Sequence, residues 1–179
     1  GSLGISLATM VANLSSHKKG WDERWEEFSN WAEKGEALKN KLTRLVDADT
    51  HAFNRILKAF AMPKSNDDER LWRNRAIQDA TRFAIDIPFT VMQTAFESME
   101  VIKAMAEIGN PNSVSDAGVG ALCARSAVMG AFMNVRINTT DYDDKEFVKE
   151  IIAKGKAIED KAMALEAEIL SIVNAKIGA

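Results

Sequence analysis

Three places in this sequence break the pattern that packing alone would choose, and each suggests chemistry by polar side chains. The first is Asp49, which falls on the apolar side of a long helical stretch, between Leu45 and Ala52. A carboxylate in such a place is partly desolvated, which favours its neutral form unless a cation sits close by. It serves either in a buried salt bridge to an arginine of a neighbouring helix or as an acid or ligand reader between helices, where bundles build their sites. The second is a line at heptad spacing, Gly120, Ala124, Ala127 and Ala131, which continues to Asn134 and Asn138. The small residues let another helix approach closely. The two asparagines, each both donor and acceptor, suit a polar heterocycle lying beside the resulting narrow groove. Arg125 and Arg136 on adjacent faces carry the fork that grips carboxylates bidentately, a fork that structural ion pairs use as well. The third is the segment Asn110-Pro111-Asn112-Ser113-Val114-Ser115-Asp116. Backbone N–H groups at a helix start attract anions, and a cap needs only one Ser or Asp, so this loop has polar groups to spare.

The remaining reactive side chains read as structure. His51 lies one turn after Asp47, an i,i+4 pair of the kind solvated helix faces carry. His17 beside Lys18 and Lys19 reads as a loop residue. Cys123 sits mid-helix among alanines, with no histidine near it in sequence to activate its thiol. Trp21, Trp25 and Trp31 crowd a helix start, where aromatics serve core or interface packing. Arg70, Arg73 and Arg75 make a second-rank anion site on the solvated run Asp67 to Arg75.

The elements that must position these groups are all helical, because no run alternates with period two for long enough to be a strand. Leu3, Leu7, Met10, Val11 and Leu14 form one stripe at the start, and Gly4, Ala8 and Ala12 form another of small residues. A long amphipathic stretch from about Trp21 to Met62 has a seam that includes Phe28, Leu38, Leu42, Leu45, Asp49 and Ala52, with Gly35 as a kink or break, and stops at Pro63. Ser65 is the expected N-cap of the next helix, whose first turn is acidic at Asp67, Asp68 and Glu69. Pro88 either starts a new helix or kinks a continuous one that runs to Gly109. Ser113 and Asp116 have capping-box spacing for a helix to about Asn138, and a final helix spans about Asp144 to Ile177. The expected architecture is an all-α antiparallel bundle of about six helices, two of them long, whose uncovered flanks favour a homodimer.

Composition narrows the function. The chain has 179 residues, which suits a single domain over 1–179, with 46% apolar and 27% charged residues. One cysteine and two histidines exclude a disulfide framework and leave too few soft ligands for a zinc site. A net charge of −3 gives no basic field for DNA or RNA. The apolar start has no Lys or Arg before Leu14, unlike a secretory signal, and no later run reads as the roughly 18 apolar residues of a membrane span. A cytoplasmic protein with neither nucleic acid nor membrane as partner is the expectation.

The string from Asn110 through Asp116, Gly118, Gly120 and Cys123 to Arg125, continued by Asn134-Val135-Arg136-Ile137-Asn138, strongly resembles the formiminotetrahydrofolate cyclodeaminase family, which includes stand-alone methenyltetrahydrofolate cyclohydrolases. Three further pieces agree in order: Gly1-Ser2-Leu3-Gly4 leading to Met10 through Leu14, Asp47 through Phe53, and Met62-Pro63-Lys64. The resemblance implies an all-α homodimer that acts alone or as the C-terminal half of a bifunctional enzyme with a formiminotransferase. Such a domain converts formiminotetrahydrofolate to methenyltetrahydrofolate and releases ammonia, a step in histidine breakdown, with no cofactor and no metal. The family's glycine-rich Gly-Gly-Gly-Ser segment, expected near the folate, does not stand before Gly1 here.

On this reading a secondary amine of the folate attacks the formimino carbon, and the tetrahedral centre expels ammonia. Holding both groups at near-attack distance supplies much of the acceleration, and one acid/base group moves the protons. Asp49 takes the acid/base role and Asp116 the polar contact to the reacting or pterin end, with exchange of the two left open. Asn110, Asn112, Ser113, Ser115, Asn134 and Asn138 bind and orient the substrate, and Lys64 and Arg136 meet its glutamate tail. The rival readings are a methenyltetrahydrofolate cyclohydrolase and a non-catalytic folate-binding helical dimer.

Overall fold

Pro63 and the Asn110–Ser113 loop divide the chain as expected, and of the two outcomes open at Pro88 the helix continues. In the computed structural model, which describes residues 1–178, α1 spans Ser2–Ser16, α2 Trp25–Phe60, α3 Asp67–Ile108, α4 Val114–Asn138 and α5 Lys145–Ile177. Single 3₁₀ turns precede α2 at Asp22–Arg24 and α4 at Pro111–Ser113. The described residues thus form five α-helices rather than six, because α3 continues through Pro88 for 42 residues.

The reason is a specific repair. Proline has no N–H, so Pro88 leaves the carbonyl four residues earlier, at Ala84, without its helical donor. Asn138 Nδ2, from the end of α4, donates to that oxygen at 2.7 Å. Pro88 itself is buried. An amide from another helix therefore takes the place of the missing backbone donor, and the helix survives.

The caps show how little sequence distance decides a boundary. Asn66, not Ser65, caps α3: its Oδ1 accepts from the Glu69 N–H at 2.9 Å. The Glu69 carboxylate in turn accepts from the Ser65 N–H at 2.7 Å. Asp67, Asp68 and Glu69 then complement the dipole of the first turn. Asp144 caps α5 by accepting from the Phe147 N–H at 3.0 Å. At the other end of α3, Gly109 is the C-cap, and Lys176 Nζ of α5 donates to the Ala106 and Glu107 carbonyls at 2.7 and 2.6 Å. These are the carbonyls that a helix terminus leaves without partners.

The two long helices, α2 and α3, are about 54 and 63 Å at 1.5 Å per residue, and they form a hairpin that the other helices clothe. Short α1 lies between α2 and α4. On the α4 side the small-residue stripe packs backbone to backbone. A Cβ on Gly4 would lie 2.8 Å from the Gly120 carbonyl oxygen, and one on Gly120 3.0 Å from the Gly4 oxygen. On the α2 side, Gly35 does not break the helix; it makes room for Thr9 of α1. Ile5 and Val11 of α1, Phe28 of α2, Met99 and Ile102 of α3, and Val128 and Val135 of α4 close the core. Each such side chain contributes about 1.5–3 kcal/mol on burial.

One expectation about hydropathy needs correcting. The helical run Pro111–Asn138 is long and apolar enough to cross a membrane by length and composition. Its apolar character has another cause here: α4 is central and packs on α1, α3 and α5.

Candidate functional site

α1 packs between α2 and α4. Next to its Gly1 end, α2 from Leu42 and α4 from Ala127 border a gap. The gap is a pocket of about 370 Å³, a size that suits a small-molecule site. Pro88 and Val91 of α3 line it, as do Leu42, Leu45 and Val46 of α2 and Ala127 and Ala131 of α4. Its polar lining is Asp49, Thr50 and Asn134, together with Gly1 and Ser2 at the start of α1. The small residues of α4 act twice: Gly120 and Ala124 admit α1, and further along Ala127 and Ala131 leave the groove open.

Asp49 and Asn134, predicted separately from sequence, thus meet in one cavity. Asp49 is nevertheless exposed, not buried on a seam. Among the described residues no helix covers this flank of α2, and Val46, Phe53, Leu57 and Phe60 are likewise 50–65% exposed.

The other predicted residues lie elsewhere. Asp116 is half-buried, 18 residues before Asn134 on the same helix. Eighteen residues are about five turns, so the two side chains leave α4 in the same direction but about 27 Å apart. They do not share a cavity in one chain. Asn138 is spoken for by the Ala84 carbonyl, so its role is to sustain α3 and not to contact a ligand. Arg136 is exposed, with its guanidinium 5.9 Å from the centre of the Phe132 ring, and it does not line the pocket. Lys64 is exposed in the turn between α2 and α3, where its carbonyl accepts from Arg70 Nε at 3.2 Å. Arg125 is a structural ion pair, its Nε 3.0 Å from Glu166 Oε1 of α5.

The loop before α4 also has structural work. The Asn110 N–H donates to Ser15 Oγ at 2.8 Å, which fastens the loop to the end of α1. Asn110 Oδ1 accepts from the Asn112 N–H at 3.2 Å and closes the 3₁₀ turn. Ser113 is buried and its side chain makes no capping bond, so the expected capping box with Asp116 does not form. The intervening 3₁₀ turn changes the approach of the chain to α4. Asn112 and Ser115 are exposed.

Sequence reasoning missed Thr50, Ser2, Val46, Pro88 and Val91 as pocket residues. Only Thr50 carried a signal, a polar residue beside Asp49 on an otherwise apolar face. Pocket walls made by Pro88 and Val91 depend on which helices approach them, and no local pattern reports that. Among the described residues no group of three or more His, Cys, Asp or Glu side chains converges as a metal site.

Comparison with known proteins places the chain in a family. Residues 1–157 match the family model described as formiminotransferase-cyclodeaminase. The chain is 33% identical over 177 residues to a methenyltetrahydrofolate cyclohydrolase of Methylorubrum extorquens, covering 99% of this chain and 85% of that protein. It is 29% identical over 175 residues to the formimidoyltransferase-cyclodeaminase of Rattus norvegicus, but spans only 32% of that protein. The crystal structure of formiminotetrahydrofolate cyclodeaminase from Thermotoga maritima superposes with a TM-score of 0.77 at 26% identity, over 98% of this chain and 81% of the other. A match that runs through both walls of the pocket and its α1 boundary leads to one conclusion: the chain belongs to the formiminotransferase-cyclodeaminase family.

Proposed function

We propose that this protein is a formiminotetrahydrofolate cyclodeaminase, closing the one-carbon bridge of formiminotetrahydrofolate to give methenyltetrahydrofolate and ammonia. The observation that carries the reading is the pocket past Gly1, where Asp49 and Asn134 converge between walls of small and aliphatic side chains. The apolar walls and narrow alanine side suit the flat ring system of a folate. Asn134 and Thr50 offer donors and acceptors to its polar edge.

In the proposed reaction the secondary amine attacks the formimino carbon and forms the new C–N bond. The attacking nitrogen gives up its proton and the leaving nitrogen gains one, and Asp49, the pocket's one carboxylate, relays it. Collapse of the tetrahedral centre breaks the old C–N bond and releases ammonia. No electrons change hands. Asp116 is the second carboxylate of the reading, contacting the pterin end. The substrate is produced by formimino transfer to tetrahydrofolate, so a fused or associated formiminotransferase is the expected neighbour, within histidine breakdown in the cytoplasm.

The 33% identity over 85% of a stand-alone cyclohydrolase favours a second reading, in which water opens the methenyl bridge at the same site. Ammonia release from formiminotetrahydrofolate, measured against hydrolysis of methenyltetrahydrofolate, separates the two. The roles are tested in Asp49→Asn and Asp116→Asn by following methenyl product through its ultraviolet absorbance. Asp49→Asn is expected to lose about 10²- to 10⁴-fold in turnover, the usual contribution of a general acid or base, and Asp116→Asn, which moves no proton in this reading, a smaller factor, each with its fold intact. Unchanged turnover in both removes the mechanism.

A further inference from the structure

Asn138 is the last residue of α4, yet its side chain acts on α3. We infer that Asn138 is a positioning residue of the folate site: by supplying the donor that Pro88 lacks, it fixes the α3 wall of the pocket opposite Asn134. This deepens the folate reading above and rests on it for the reaction.

The register of the two helices carries the inference. α3 and α4 are joined by a short connection, Gly109–Ser113, and run antiparallel. A Cβ on Gly120 would lie 3.6 Å from Ile102, so these two residues face each other, as Asn138 faces Ala84. Gly120 to Asn138 is 18 residues along α4, and Ala84 to Ile102 is 18 residues along α3. Both contacts therefore belong to one register. In that register Pro88 stands across from Asn134 and Val91 across from Ala131, and all four line the pocket. The Asn138 bond is the next rung, about one turn beyond Pro88 on α3 and one turn beyond Asn134 on α4.

No other donor stands ready for that rung. Ala84 is buried, so its carbonyl has little access to water, and the helix's own donor is missing at Pro88. The hydroxyls of Thr90 and Thr94 donate instead to the Asp86 and Thr90 carbonyls, at 2.9 and 2.8 Å. A helix kinks where a proline opens its ladder or water enters it, so α3 without the amide bends at Pro88. Pro88 and Val91 then shift against Asn134, and the ring that Asn134 orients leaves its reacting position. A misplacement of about 1 Å can cost about 10²-fold in rate. The apolar walls that bind the ring remain, so the loss falls on kcat and not on KM.

The experiment measures methenyl product from formiminotetrahydrofolate at a temperature well below the melting point of every variant. Asn138→Ala is expected to lose about 10-fold in kcat while KM changes by less than about 2-fold. Asn138→Asp keeps the shape without the amide donor; it is expected to lose a similar factor and serves if the alanine variant does not fold. Pro88→Ala returns a backbone N–H to the Ala84 oxygen. It also alters the pocket wall, so its comparison is made within that background, where adding Asn138→Ala should cost less than about 2-fold in kcat. Wild-type kcat in folded Asn138→Ala overturns the positioning role, as does a rise in KM with kcat unchanged, the sign of lost uniform binding. Equal losses of kcat in both backgrounds overturn it too, since the amide then does not act through Pro88. A wild-type chain that converts neither formimino- nor methenyltetrahydrofolate sinks the folate reading and this proposal with it, whereas full turnover in wild type and variants alike sinks the proposal alone.

Discussion

The two ends of the groove between α2 and α4 are built from the same helices, yet one packs tightly on α1 and the other borders a pocket. At the closed end α1 is set so deeply that Gly4 and Gly120 meet backbone to backbone and Gly35 yields to Thr9. At the open end, past Gly1, the same α2 and α4 present Asp49, Thr50 and Asn134 to a cavity of about 370 Å³. The amphipathic pattern of α2 does not change between the two ends. The same pair of helices packs tightly on α1 where small residues meet and borders a polar-lined pocket where Asp49, Thr50 and Asn134 stand.

Three experiments put pressure on that contrast. The largest effect is expected from filling the open end. Thr50 is exposed and lines the pocket, so Thr50→Trp should leave thermal unfolding nearly unchanged while turnover falls by about 100-fold, a barrier increase of about 2.7 kcal/mol. If instead the melting temperature collapses, the open end is packed and not a site. Next comes bulk at the closed end. Gly4→Val places methyl groups against the Gly120 carbonyl, and urea unfolding should show a loss of about 2–3 kcal/mol, the range for overpacking. A stability within error of wild type would mean that α1 and α4 can separate freely.

The smallest effect concerns the floor of the pocket. Asn138→Ala strips the Ala84 carbonyl of its donor and should cost about 1–2 kcal/mol. In a Pro88→Ala background the backbone N–H returns to that oxygen, and the same Asn138→Ala change should then cost clearly less. Equal costs in both backgrounds, from a double-mutant cycle of chemical unfolding, would show that the amide does not serve the proline.

Much of the fold was legible because helices announce themselves locally. The breaks at Pro63 and at Asn110–Ser113, the acidic start of α3, the Asp144 start of α5 and the small-residue contact of α4 all follow from nearest-neighbour chemistry. Where local rules offered two outcomes, as at Pro88, the decision came from Asn138, 50 residues away in sequence. The candidate site was half legible. Asp49 was noticed as a carboxylate out of place and Asn134 as the polar end of a line of small residues, and both do line the pocket. Asp116 was noticed too, but one chain keeps it about 27 Å from Asn134, a separation that follows from helix rise alone. Asn138 looked like a ligand residue because an exposed amide and an amide meant for a distant carbonyl are the same in a sequence.

By itself the sequence determined that the chain is helical, where most of its helices start and stop, and which side chains have chemistry left over after packing. These depend on periodicity, capping and proline, which act within a few residues. Only the tertiary structure decided that α1 packs between α2 and α4, that α3 passes through Pro88, and that Asp49 and Asn134 line one pocket. Those outcomes depend on contacts between residues far apart in the chain, and the distance between two helices is a property of neither one alone.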